Sequence, residues 1–168
     1  NEIRIAFDIC PVNIVLNKFS IELGQAYDKN GDFAKSGKVN SNLLEKLNTL
    51  EYYKNTPPKS LGIEYIEAEI FPLINVYKIS SEDKLRTFVE HISIQISNSI
   101  KSTNKKILLT GGGTFNSFLT ERIKANTNNN VILTSNQIID FKEALIFAFL
   151  GVLRLRKESN CLHSVTGA

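Results

Sequence analysis

The sequence predicts an α/β domain with a mainly parallel sheet covered by helices. Two observations carry this. From Ser80 onward the apolar pattern runs helix, strand, glycine turn, helix, strand, helix, the order of a parallel sheet with helical crossovers. Hydrophobic residues make up 42% of the chain and charged residues 22%, the balance of a chain that buries a core rather than of a disordered tail or coiled coil. Its 168 residues suffice for one such domain.

Taken in order, Ile3, Ile5 and Phe7 alternate with Glu2, Arg4 and Ala6 and predict a strand that Asp8 ends. Pro11 suits the first position of a helix, where a missing N–H costs nothing, and residues 14–23 supply an apolar helix body. Residues 27–39 are polar and turn-rich around Asn30-Gly31. Leu43, Leu44, Leu47 and Leu50 mark a short amphipathic helix, and Pro57-Pro58-Lys59-Ser60 opens a loop through Gly62. The 27–62 region is the least regular part and is expected to cap one edge.

Residues 80–101 form the clearest helix. Ser80 and Asp83 fit a capping pattern, and Leu85, Phe88, Val89, Ile92, Ile96 and Ile100 share one face. Ile107-Leu108-Leu109 reads as a buried strand, and Gly111-Gly112-Gly113 turns into a helix over residues 117–124. The asparagine-rich residues 126–130 make a loop before a second strand at Val131-Ile132-Leu133. Residues 140–157 are apolar nearly all round, which predicts a buried helix.

Several function classes drop out. The net charge of +3 is mild and the basic residues are scattered, so nothing points to nucleic acid. Cys10 and Cys161 lie in no metal-ligand spacing and read as reduced thiols of a cytoplasmic protein. The longest apolar run, residues 144–153, falls well short of the roughly 20 residues that span a bilayer. No signal-peptide pattern is visible at the start. The chain contains no methionine and opens directly on a strand-like segment, which predicts a piece of a longer protein.

Three places can carry chemistry. Gly111-Gly112-Gly113-Thr114-Phe115-Asn116 stands between a strand and a helix. Glycines there allow close approach of a ligand to the backbone, and a helix N-terminus favours anions; a tight connecting turn needs the same residues. The third glycine of the dinucleotide fingerprint is absent, as is any Walker A pattern. Asp8, at a strand end, suits a general base, a magnesium anchor or a helix cap. Glu143, read as lying near the first turn of the last helix, is favoured there by the helix dipole or accepts a hydrogen bond from a ligand hydroxyl. His91 and His163 are isolated, which fits satisfied or surface histidines, and no metal-ligand set is present.

Together these residues resemble a known family. Phe7-Asp8-Ile9-Cys10-Pro11-Val12-Asn13 resembles the F-D-T-G-P-G-N segment of 1,6-anhydro-N-acetylmuramic acid kinases. Residues 27–39 are similar to the family's Asp-rich, Gly-turn segment, and Pro57-Pro58-Lys59-Ser60-Leu61-Gly62-Ile63-Glu64 to its P-P-K-S-T-G-R-E. Gly111-Gly112-Gly113-Thr114-Phe115-Asn116 is similar to its G-G-G-A-R-N; residues 143–148 and Ser164-Val165-Thr166-Gly167-Ala168 match its closing motifs. The segments occur in family order across the whole chain, and all belong to the family's C-terminal half.

The resemblance implies a ribonuclease-H-like lobe of the actin/hexokinase type, a mixed sheet flanked by helices, with residues 1–168 as the single C-terminal lobe of a two-lobe kinase. It implies ATP and Mg2+, an anhydrosugar substrate, and opening of the 1,6-anhydro bridge by water with phosphorylation of O6. Asp8 would be the catalytic base. Gly111, Gly112, Gly113 and Asn116 would bind the nucleotide, with Cys10, Pro11 and Asn13 near the phosphates and Glu143 on the sugar. The missing N-terminal lobe would be an obligatory partner, so the lobe alone is expected to be inactive. Residues 80–101 could seat a homodimer, although an all-core face explains them better. Ile9, Cys10 and Val12 stand where the family has Thr, Gly and Gly, and Leu61 and Ile63 where it has Thr and Arg. The alternative reading, which Ile9 and Cys10 motivate, is a catalytically weakened relative that binds ATP or sugar as a sensor.

Overall fold

A helix with one apolar face must bury it, and residues 81–99 set the architecture in this way. The computed structural model describes residues 4–100 and 103–162. The first half is helical: α1 Asn13–Glu22, α2 Asp32–Ser36, α3 Ser41–Asn48, α4 Glu51–Lys54, α5 Ile63–Tyr65, α6 Phe71–Val76 and α7 Ser81–Ser99. There follow β1 Lys106–Leu109, α8 Ser117–Asn126, β2 Asn130–Leu133 and α9 Asn136–Leu155.

α7 starts where the sequence predicts. The Ser80 hydroxyl accepts the Asp83 N–H at 3.2 Å, and Glu82 and Asp83 sit in the positive first turn. Leu85, Phe88, Val89 and Ile92 are fully buried, each such side chain contributing about 1.5–3 kcal/mol. α1, α2, α3 and α8 all pack on α7, bringing Val15, Phe19, Ala34, Leu43, Leu47 and Phe118 into one core. α8 is further tied by a two-pronged ion pair: Arg122 Nε and Nη2 donate to the two Glu90 carboxylate oxygens at 2.8 and 3.0 Å. Burial alone would raise the Glu90 carboxyl, but hydrogen bonds from Arg122 and Asn126 and the Arg122 charge hold it below its ordinary value.

The region expected to cap an edge is instead central. Lys38 N–H donates to Asp83 Oδ1 at 2.6 Å and Asn40 N–H to Thr87 Oγ1 at 2.9 Å, so residues 37–40 bind the first turns of α7, and α2 packs along it. Pro11 does not open α1, which begins at Asn13; Pro11 is buried one residue ahead of the cap. Residues 4–12 form no strand: among the described residues, Asp8 alone within that stretch donates its N–H to a backbone carbonyl, that of Lys59, in place of a ladder. Residues 63–76, which sequence reading passed over, form a helical run with a π-helical turn at Ile66–Ile70. Ile66, Ile70 and Ile74 are buried on one face, and their four-residue spacing was a legible signal.

β1 and β2 pair in parallel, Lys106 with Asn130 through Leu109 with Leu133, and α8 crosses between them. This is the α/β unit the sequence predicts, but its strands are not buried: Leu108 and Leu133 are exposed. The larger correction concerns α9. It was expected to be buried; none of its residues is. Leu145 is 68%, Phe147 71% and Leu155 85% exposed. Among the described residues the main contact of α9 is with the glycine turn, which leaves its apolar faces largely uncovered. No helix among the described residues is long and apolar enough to cross a membrane.

His91 lies in the core, its ring nitrogens 2.7 Å from Asn48 Oδ1 and 2.9 Å from Tyr53 Oη. Burial lowers its pKa from 6.5 to about 3. Between those values the unfolded chain takes up a proton that the folded chain refuses, so stability falls as pH drops, by up to about 1.4 kcal/mol per unit. Urea unfolding of wild type and His91→Gln from pH 7 to 4.5 should show a flatter dependence in the variant; equal slopes would contradict this assignment.

Candidate functional site

Three sequence segments converge on one cleft of about 490 Å³. α1 brings Asn13 and Asn17, the loop before α2 brings Tyr27 and Asn30, and the turn after β1 brings Gly112 and Phe115. Local chemistry sets each. Gly111 has φ +90°, a left-handed value that side chains rarely adopt, and Thr114 Oγ1 closes the turn by donating to the Gly111 carbonyl at 2.6 Å. Asn116 caps α8, its side-chain oxygen accepting the Leu119 N–H at 2.8 Å. Gly31, at φ +78°, has no room for a Cβ, which would run into the Asn116 and Phe118 side chains. This close approach lays the 27–31 loop over the start of α8, where Ser117 Oγ donates to the Asn30 carbonyl at 3.0 Å.

The loop is anchored from below by Asp28. Its buried carboxylate accepts the Phe33 and Ala34 N–H groups at 2.8 and 3.0 Å. Burial raises its pKa against the pull of those two bonds. Asp28 is thus a structural brace, while Tyr27, Lys29 and Asn30 remain exposed on the rim. The N-termini of α1 and α8 both reach the cleft, Asn13 being the first residue of one and Asn116 the cap of the other. Two positive helix ends, a lysine and exposed aromatic rings suit a ligand that combines anionic groups with a flat apolar part.

Asp8 lies apart from this cleft, on an open hollow of about 380 Å³ with Pro58, Lys59 and Ser60. Its Oδ2 accepts the Leu61 N–H at 2.8 Å; among the described residues Oδ1 accepts no hydrogen bond. Thr110 Oγ1 and Thr134 Oγ1, each one residue beyond a strand end, are buried without a hydrogen-bond partner among the described residues. Such hydroxyls ordinarily find one, and the carboxyl ends of parallel strands are where α/β sheets receive ligands.

The remaining sequence candidates fare differently. Cys10 packs against the core, and burial pushes its thiol up to about 12 against the lowering effect of Lys59, so it is no ready nucleophile. Pro11 is buried. Gly113 adjoins Asn13 and Val12: a Cβ there would meet Asn13 Oδ1 and Val12 Cγ1 at 3.7 Å. Glu143 is not near the first turn of its helix, because α9 begins at Asn136 and places it two turns along. It is exposed, lines neither hollow and makes no hydrogen bond or ion pair among the described residues. His163 and residues 164–168 lie outside the described residues. Sequence reading missed Tyr27, Lys29 and Phe115 as lining residues, although two of them flank Asp28 in a segment already singled out.

The family model for anhydro-N-acetylmuramic acid kinase matches residues 1–168. A protein of that name from a Sulfurovum species is 36% identical over 98% of this chain and 47% of its own length. Those from Mannheimia succiniciproducens and Crocosphaera subtropica are 32% and 34% identical over 98% of this chain. The chain spans about half the length of these curated relatives. By its motifs and by match across its whole length, the chain belongs to the anhydro-N-acetylmuramic acid kinase family.

Proposed function

We propose that this chain is the C-terminal, ribonuclease-H-like lobe of a two-lobe cytoplasmic kinase that opens 1,6-anhydro-N-acetylmuramic acid and phosphorylates it from ATP. The observation that carries the reading is the cleft joining Asn13, the Gly112 turn and the Tyr27–Asn30 loop. Family membership supplies the chemistry. In this scheme Asp8 Oδ1 takes a proton from water as the water oxygen bonds to the anomeric carbon. The bond from that carbon to O6 breaks, O6 bonds to the γ-phosphorus, and ADP leaves with the electrons of the bond it loses. The Leu61 N–H engages Oδ2, and Oδ1, which accepts no hydrogen bond among the described residues, would serve this transfer. Gly111, Gly112, Gly113 and Asn116 would cradle the nucleotide, with Asn13 on its phosphate side.

No group of three or more His, Cys, Asp or Glu among the described residues is placed to hold a metal. Mg2+ would therefore enter on the nucleotide, held mainly by phosphates and water, and would neutralise phosphate charge. Glu143 would meet the sugar only once the other lobe closes the cleft. The unpartnered α9 faces, exposed Leu108 and orphan Thr110 and Thr134 hydroxyls support the same arrangement: the remaining half of the family's length would cover them.

One feature favours a second reading. Val12 replaces a family glycine, and its Cγ1 stands against Gly113. A nucleotide-binding sensor with weakened turnover would be built this way.

Incubating the two-lobe protein with anhydrosugar, ATP and Mg2+ should give the 6-phosphate, and Asp8→Asn should lower its rate by about 10²–10⁴. Nucleotide binding without product in either would favour the sensor. The 168-residue chain alone should self-associate and bind a hydrophobic dye, and should become monodisperse on co-expression with the complementary half; a dye-negative monomer would show that α9 needs no cover.

A further inference from the structure

The Pro57-Pro58-Lys59-Ser60 segment has no role yet, and its departures at Leu61 and Ile63 put one in question. Its contacts supply one. Asp8 N–H donates to the Lys59 carbonyl at 3.1 Å. Leu61 N–H donates to Asp8 Oδ2 at 2.8 Å. Tyr52 Oη donates to the Asp8 carbonyl at 2.7 Å. Lys59 Nζ donates to the Tyr52 carbonyl at 3.2 Å and lies 4.5 Å from the centre of the Tyr52 ring. Three of these bonds close a ring, Lys59 to Tyr52 to Asp8 and back to Lys59, and the fourth sets Leu61 on the carboxylate. Asp8 is exposed and outside any helix or strand, so little else fixes its backbone.

Tyr52 is the rigid member. It is 6% exposed and sits edge-on to Tyr53 and tilted against Tyr65, with centroids 5.5 and 5.6 Å away. This packing of the ring fixes where its hydroxyl stands. Burial pushes its pKa up to about 12, with nearby Asp8 and Cys10 adding to the shift, so it remains a donor across the physiological range. The segment's own contributions at 59 and 61 are a backbone carbonyl, a backbone N–H and the Lys59 ammonium. The side chains of Leu61 and Ile63 take no part in the ring, which is why those departures leave it intact.

We infer that Tyr52 and the Lys59–Leu61 backbone are a positioning clamp that holds Asp8 in register for proton abstraction. The inference rests on the reading of Asp8 as the base. Misplacing such a group by about 1 Å costs up to about 100-fold in rate. The test uses the two-lobe protein and measures kcat and both KM values for wild type, Tyr52→Phe, Asp8→Asn and the double variant. Tyr52→Phe keeps the packed ring and removes only the donor. Its kcat should fall at least about 10-fold with KM for ATP and sugar unchanged, the signature of an interaction that matters in the transition state. In the Asp8→Asn background the same change should cost nothing further, because the clamp acts only through Asp8. If Tyr52→Phe leaves kcat unchanged, or lowers it by the same factor in both backgrounds, the clamp is overturned while Asp8 stands as base. If Asp8→Asn itself turns over normally, the reading beneath the inference fails. Should Tyr52→Phe not fold, Lys59→Met, which frees the Tyr52 carbonyl, is read by the same criteria.

Discussion

The structure depends on burying one face of α7. Leu85, Phe88, Val89 and Ile92 have no solvent exposure, and a face of that size can be kept from water only by several partners. α1, α2, α3 and α8 are those partners, and all but α3 carry part of the site with them. α1 delivers Asn13, the connection into α2 delivers Tyr27 and Asn30, and α8 delivers Asn116 together with the turn before it. The cleft is thus a by-product of core packing. Its walls are held by the buried Asp28 carboxylate and by the tight fit of Gly31 against Asn116.

The two chemical hollows are built on different physics. The cleft uses helix ends and a left-handed glycine, features that favour anions, with Lys29 on its rim and the Asp28 carboxylate in its wall taken up by the Phe33 and Ala34 N–H groups. The Asp8 hollow uses an exposed carboxylate restrained by backbone hydrogen bonds and one buried phenol. The six residues from Asp8 to Asn13 connect them, and the substituted positions Ile9, Cys10 and Val12 lie in that connection. Cys10 and Val12 point toward the core, so they tighten the link between the hollows rather than adding groups to either.

Much of this was legible in the sequence where local patterns decide. The cap at Ser80, the stripe of α7, the glycine turn and both strands follow from spacing and turn chemistry. What failed needed knowledge of partners. α9 is apolar all round, which predicts burial, yet burial requires a second surface, and the described residues provide almost none. Of the first predicted strand, residues 2 and 3 lie outside the described residues; residues 4–7 join no ladder, since a strand exists only against another, and the Lys59 backbone meets Asp8 just beyond them. Glu143 was misplaced because α9 gains a turn from Ser135, whose hydroxyl accepts the Ile138 N–H at 3.5 Å. The Asp8 clamp was invisible, since it joins residues 44 to 53 positions apart largely through backbone atoms that no motif encodes.

The central claim is that the cleft between α1, the 27–31 loop and the glycine turn receives the nucleotide and presents its terminal phosphate toward Asp8. A crystal structure of the two-lobe protein with a non-hydrolysable ATP analogue tests it most directly. The account requires the adenosine part against the Gly111-Gly112-Gly113 turn and the Tyr27–Asn30 loop, with the phosphates running past Asn13. Nucleotide bound elsewhere, or with its γ-phosphate pointing away from Asp8, would contradict it.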